Sequence, residues 1–373
     1  MLRRTKIIIA AYCTAGLVFL AFTFGFVLQM RDWHGHPERY KEFTHQHHHG
    51  EEIAIPETSP VETYAVGAKT YMKVPFMEDF DVTQSCVDLK QIVKVNLNLE
   101  NFPDLEELQF VSPEKVVGIP DRDSVLGVNI EGEQKAYPIR MLNYHVVLND
   151  VCGGKEIAVV WDPLIMTPKV FRRRVERSDG ATAVLTFGKL GFIHKGGLLL
   201  YDEPTRGAWW PPEGKCLAGE LSGVSLPEYP FLLVSWKVWK QRYPTTAVLS
   251  TNTPFRGKYN RNWFSTYYGL SQLPIPIKGW AGKRSPLKWS ETVIVLETQG
   301  KPKAYPLSVL TKAEGTLEDT LGGRRIVFRG AQSPPPYPTD EKGQVIPYSF
   351  GAWFLWSVRY PDIELYSPES VPK

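Results

Sequence analysis

Cysteine is scarce: four occur in 373 residues, none at C-x-x-C or any other metal-ligand spacing, so no cysteine metal site is indicated. Cys13 falls in an apolar run, which leaves Cys86, Cys152 and Cys216. At most one disulfide can form among those three. No G-x-x-x-x-G-K-[ST] is present, which excludes a P-loop. The net charge is only +3, with mixed signs and no long basic stripe, so nucleic acid is not an expected partner. Long uninterrupted helical patterns are also lacking. Gly and Pro each occur 30 times, which turns the chain often and suits many short strands.

What is present begins at the N-terminus. "IIIAAYCTAGLVFLAFTFGFVL", Ile7 to Leu28, carries no charge and follows Arg3, Arg4 and Lys6. A helix of that length spans roughly 33 Å, one hydrocarbon core. The preceding cations place the N-terminus in the cytoplasm and the main domain on the far side of the membrane. A cleaved signal peptide is the alternative, but "FGFVLQMRDW" has no small-x-small cleavage site. An uncleaved anchor over residues 1–30 is therefore expected, followed by a polar linker over 31–60. Of the eight histidines, six lie in that linker: His34, His36, His45, His47, His48 and His49. Imidazoles at this density bind Cu, Zn or Ni, although such a tract also serves as a plain solvated spacer.

Beyond a lead-in segment, 61–115, the chain reads as short strands and turns, and its words recur. "DSVLGVNIEGEQKAYPIRML" matches "ETVIVLETQGKPKAYPLSVL", and "LNDVCGGKEIAV" matches "LEDTLGGRRIVF". "WKVWKQRYP" matches "WFLWSVRYP". Lys135 and Lys303 are 168 residues apart but Trp236 and Trp353 only 117, so the second copy lacks 51 residues. The excess falls between about Trp161 and Tyr229. Two copies in the same order predict two pseudo-repeated lobes, 116–270 and 271–373. Each would be closed by a helix bearing two tryptophans at i and i+3. Shared positions read as scaffold. The fold class expected is a β-rich α+β domain of two such lobes behind one transmembrane helix.

Positions found in one copy only are the better functional candidates. His145 faces Ala313 in the alignment, and Arg140 faces Ser308. His145, Asp150 and Asp202 are the candidate catalytic groups, since an imidazole with nearby carboxylates can move protons. Arg140, Asp162, His194 and Arg206 are candidate ligand contacts. The bland reading of His145, a partly buried ring bonded to a backbone carbonyl, stands beside the functional one.

The stretches "GIPDRDSVLGVNIEGEQKAYPIRMLNYHVVLNDVCGGKEIAVVWDPL", "LTFGKLGFIHKGGLLLYDEPTRGAWW" and "WKVWKQRYPTTAVLS" together resemble the DUF3179 family, bacterial and archaeal proteins of unknown function. The resemblance implies that His145, Asn149 and Asp150 match the family pattern, with Val146 replacing a glutamate. Tyr201, Asp202, Thr205 and Trp210 match a further stretch. Asp162 and Ile165 stand where the pattern has two cysteines, so any redox or metal role of that pair is absent from this chain.

These readings converge on a membrane-anchored extracytoplasmic binding or accessory protein without catalytic activity, for instance a subunit or assembly factor of a membrane complex. The location implied is the bacterial or archaeal cytoplasmic membrane, with the main domain periplasmic or extracytoplasmic. An enzyme with a pocket around His145 and Asp202 is the first alternative, and metal handling by the linker the second. Deleting residues 34–49 tests the latter. Elemental analysis of protein purified without a tag is expected to find Cu, Zn or Ni that the deletion removes; unchanged metal content ends that reading.

Overall fold

The computed structural model describes residues 58–367, apart from 76, 96–101, 178, 261–263, 276, 313–315 and 331–334. The expected membrane span and the six linker histidines lie outside the described residues. Among the described residues no helix is long and apolar enough to cross a membrane. The described chain belongs to one compact unit, Pro56–Lys373, and it is β-rich with short helices, as the turn-laden composition predicts.

Two sheets organise it. In the first, Ser124–Ile130 and Glu133–Pro138 form a hairpin turned at Glu131-Gly132, both at positive φ. The edge strand Leu232–Ser235 pairs antiparallel with Ser124–Ile130. Ala247–Leu249 adds on the other side, parallel to Glu133–Pro138. In the second sheet, Thr292–Thr298 and Lys301–Pro306 form the hairpin. Ser349–Ala352 is its antiparallel edge and Glu364–Leu365 its parallel neighbour. The registers agree residue for residue: Leu232 opposes Gly127 as Ser349 opposes Val295. Lys135 likewise pairs with Ala247 as Lys303 pairs with Glu364.

Each hairpin runs into a helix at a Tyr-Pro corner, where proline's fixed φ starts the turn. Ile139–His145 follows Pro138, and Leu307–Leu310 follows Pro306. A three-stranded antiparallel sheet comes next in both halves, at Val147–Arg172 and Leu317–Thr339. The edge strands then run into Trp236–Arg242 and Trp353–Arg359. Ser235 caps the first of these by accepting the Val238 N–H at 3.4 Å, and the helix stops before Pro244.

Chain present only in the first half builds most of a separate six-stranded sheet. Phe187–His194, Gly197–Asp202, Ala208–Trp210 and Lys215–Ala218 join Ile92–Lys94 from the lead-in segment and Ser59–Pro60 from the end of the expected linker, which is therefore strand at its last two residues. The alternation of "QIVKVNLNL" predicts a longer strand there; it is described over Ile92–Lys94. The lead-in segment also contributes Phe110–Val111, which pairs with Ala247–Leu249.

Strand alternation sorts the side chains. Leu126, Val128 and Ile130 enter one core with Ile294, Leu296, Tyr305 and Phe350 of the second sheet. On the opposite faces, Val125 packs with Trp236 and Trp239. Val293 and Val295 pack there with Trp353 and Trp356. Gly127 is required by this packing, because a Cβ there would stand 2.3 Å from Cε3 and Cζ3 of Trp239. Gly127→Val is therefore expected to destabilise the fold by about 1–3 kcal/mol, read by urea unfolding; an unchanged midpoint would mean that Trp239 has room to move.

Candidate functional site

The sequence-predicted residues are held in separate nests. His145 ends the Ile139–His145 helix and is fully buried. Val146, at φ 67°, then redirects the chain into the next strand. The His145 Nδ1 lies 2.8 Å from the Pro103 carbonyl. A carbonyl only accepts, so Nδ1 carries the proton and Nε2 accepts from the Tyr259 hydroxyl at 2.8 Å. Thr253 stands 2.6 Å behind that hydroxyl. Burial lowers the His145 pKa to about 4, so the ring is neutral at pH 7 and both nitrogens tie loops together.

Asp150 pairs with Lys135 at 3.1 Å and accepts from the Tyr137 hydroxyl at 2.6 Å. Asp319 holds Lys303 and Tyr305 in the same way, at 2.9 and 2.8 Å. Asp202 is buried and accepts from the Thr205 and Gly207 N–H groups and from Trp209 Nε1. It thereby closes its own loop. Arg206 stacks on Phe80, 5.9 Å from the ring centre. Arg140 pairs with Asp123 and donates to the Gly118 carbonyl and the Asn260 amide oxygen. No hydrogen bond or ion pair among the described residues joins His145 to Asp150 or Asp202.

Asp162 and His194 do come together, around Trp210. Asp162 accepts the Leu164 N–H at 2.9 Å and the Leu198 N–H at 2.6 Å. Its pKa is pushed up by burial to about 7. Asp162 Oδ2 and Trp210 Nε1 each stand 3.0 Å from the point a Cβ on Gly197 would occupy, so only glycine lets the strand approach them. The Trp210 N–H is buried without a partner. His194 meets the Trp210 ring edge-on at 5.2 Å, and burial lowers its pKa to about 4. Among the described residues no cluster of three or more His, Cys, Asp or Glu could hold a metal.

A cavity of about 730 Å³ lies elsewhere, in a cleft lined by residues of both sheets. Its walls are matching positions of the two halves. Gly127 and Asn129 face Val295 and Glu297, while Trp239 and Tyr243 face Trp356 and Tyr360. Pro230-Phe231 and Pro347-Tyr348 match as well, and the Phe231 and Tyr348 rings pack 5.4 Å apart. The halves are stitched there, because the Leu233 N–H donates to the Tyr348 hydroxyl at 2.9 Å. The tryptophans are buried. Tyr229, Tyr243 and Tyr360 are half-buried. Lys169 and Glu228 pair at 2.8 Å, and Tyr360 donates to Glu297 at 3.1 Å. A concave, mostly apolar site with few placed polar groups is suited to holding a ligand or a peptide segment.

The family model described as "Protein of unknown function (DUF3179)" matches residues 100–357, more than half of the chain. The chain belongs to this family. No curated protein matches it, and neither does any solved structure. In this DUF3179 chain Asp162 and Ile165, where the resemblance places two cysteines, are both buried beside Gly197. The sequence reading passed over the cleft because it set shared positions aside as scaffold. The available signal was the pair Asn129 and Glu297, polar residues at matching places on otherwise apolar strands.

Stability should record the buried groups. The folded histidines titrate near 4 but at 6.5 when free, so the stability they support is complete above pH 6.5 and lost as pH falls towards 4. Asp162 acts oppositely: raised from 3.8 to about 7, it contributes below pH 3.8 and loses that contribution as pH rises to 7. Each effect is on the order of 3 kcal/mol. In urea unfolding between pH 4 and 7, Asp162→Asn is expected to steepen the rise of stability with pH and His145→Gln to flatten it. Unchanged slopes would contradict both assignments.

Proposed function

We propose that the chain is a membrane-anchored extracytoplasmic binding or accessory protein of a membrane complex, and that the cleft between the two sheets receives the partner. The observation that carries this is the cleft itself, walled by matched aromatic positions from both halves. Among the described residues His145, Asp150 and Asp202 bond to other groups than one another. Each of those side chains is engaged in holding loops or strands. The apolar run Ile7–Leu28, with its preceding cations, supports the anchor.

Duplication of one unit is the second part of the proposal. It is supported by the matching strand order, registers, Tyr-Pro corners and closing tryptophan helices of the two halves. On this reading 116–270 and 271–373 are the two lobes, and the cleft is their shared seam. The six-stranded sheet is then an addition to the first lobe alone.

One observation favours the enzyme alternative, although not at His145. Asp162 titrates near neutrality beside the unpartnered Trp210 N–H, and such groups are over-represented at reactive sites. A photo-crosslinking residue in place of Tyr229, in native membranes, tests the binding reading. One partner captured in stoichiometric yield is expected, and Ser349→Arg, which fills the cleft, should abolish capture. A chain that captures nothing, or captures equally with the cleft filled, ends this proposal.

A further inference from the structure

Building on the cleft as a partner site, we propose that its occupant is an extended, proline-rich segment of another protein carrying one basic residue, held in one direction by Glu297. The cleft's shape and chemistry lead there in three steps.

The first is the lining. The lining combines half-buried tyrosines, buried tryptophans and the matching Pro-aromatic pairs. A polyproline II segment presents rigid ring ridges, has no internal hydrogen bonds and loses little conformational freedom on docking. Aromatic-lined grooves are its usual receptor.

The second is which polar groups of the lining are already engaged. Lys169 and Glu228 neutralise each other, and the Tyr348 hydroxyl is taken by the Leu233 N–H. Asn129, Ser349, Tyr229 and Tyr243 also line the cleft, so a polyhydroxylated ligand such as a glycan is the competing occupant that the test separates.

The third is symmetry and its break by one carboxylate that has no cationic partner among the described residues. A polyproline II helix has nearly the same outline in either direction, and matched walls would take it both ways. Two matched positions of the walls differ in charge, Asn129 against Glu297 and Glu228 against Val345, but Glu228 is neutralised by Lys169. Glu297 is exposed and accepts one hydrogen bond, from Tyr360. It forms no ion pair among the described residues, and its carboxylate has further lone pairs. The neighbouring cations are otherwise engaged, Lys169 with Glu228 and Arg359 with Glu213. Arg242 lies over the Tyr243 ring. A basic residue of the ligand thus finds one carboxylate not already held by a lysine, Glu297, and its position along the segment sets the orientation.

Fluorescence anisotropy with the full chain in detergent tests this. The probes are labelled octaprolines with a single arginine at the N-terminal end, at the C-terminal end, or absent. A Gly-Ser octapeptide with the same arginine and cellohexaose as competitor serve as controls. Binding of one arginine-ended octaproline at least fivefold tighter than the other is expected. Glu297→Gln should abolish that preference, and adding Asn129→Glu to it should reverse the preferred end. Glu176→Gln, an exposed carboxylate outside the cleft, should leave the preference in place, and an unchanged urea midpoint for Glu297→Gln controls for folding. Equal binding of the two ends, equal binding of the Gly-Ser peptide, displacement by cellohexaose, or no binding at all would each overturn the proposal. Crosslinking at Tyr229 together with no octaproline binding sinks this inference and leaves the partner reading standing; failure of both removes both.

Discussion

The fold turns on a buried ammonium, carboxylate and phenol. Lys135 leaves the hairpin strand Glu133–Pro138, reaches Asp150 on the adjoining three-stranded sheet and donates to the Val151 carbonyl at 2.6 Å. Tyr137, from the same hairpin strand, donates to the same carboxylate. Lys303, Tyr305 and Asp319 make the matching lock in the second half. Both lysines are buried, at 8% and 6% exposure. Removing one partner would strand a charge in a medium that solvates it poorly, which typically costs 3–5 kcal/mol. The lock holds each hairpin against its three-stranded sheet, and the angle so set lets the two halves share one apolar core.

That shared core places the cleft. Residues of even number on Ser124–Ile130 and Thr292–Thr298 point into the common core, so their odd-numbered neighbours point the other way. Each closing helix lays its tryptophans on that outer face. At Gly127 the Trp239 ring lies directly on the strand; at the matching Val295 it cannot, and Trp356 sits against Gly351 instead. The two halves are alike in path and different in the packing of their tryptophans. The cleft is where the outer faces meet.

Much of the path was legible in the sequence. Gly-Gly and Glu-Gly turns, the Tyr-Pro corners, Ser235 as a cap and Pro244 as a stop all act within a few residues, so their effect is local and readable. The 51-residue excess was legible as an excess, and its partner strands were not. Ile92–Lys94 joins it across about a hundred residues, and Ser59–Pro60 pairs in turn with Ile92–Lys94; no local pattern encodes that pairing. His145 was visible as a singular residue, yet its neutrality and its hold on Pro103 and Tyr259 depend on burial between loops 40 to 115 residues away.

Strand alternation, turn chemistry and the recurrence of W-x-x-W-x-x-R-Y-P were properties of the sequence alone, because each follows from backbone geometry over short range. The tertiary structure decided which candidate groups meet: it kept His145 out of bonding reach of its carboxylates, gathered Asp162 and His194 around Trp210, and opened a cleft between residues that alignment had set aside as scaffold. The reason is physical. Conformational preference is a property of neighbouring residues, whereas burial, convergence of side chains and the shape of a cavity are properties of surfaces that meet only after the chain has packed.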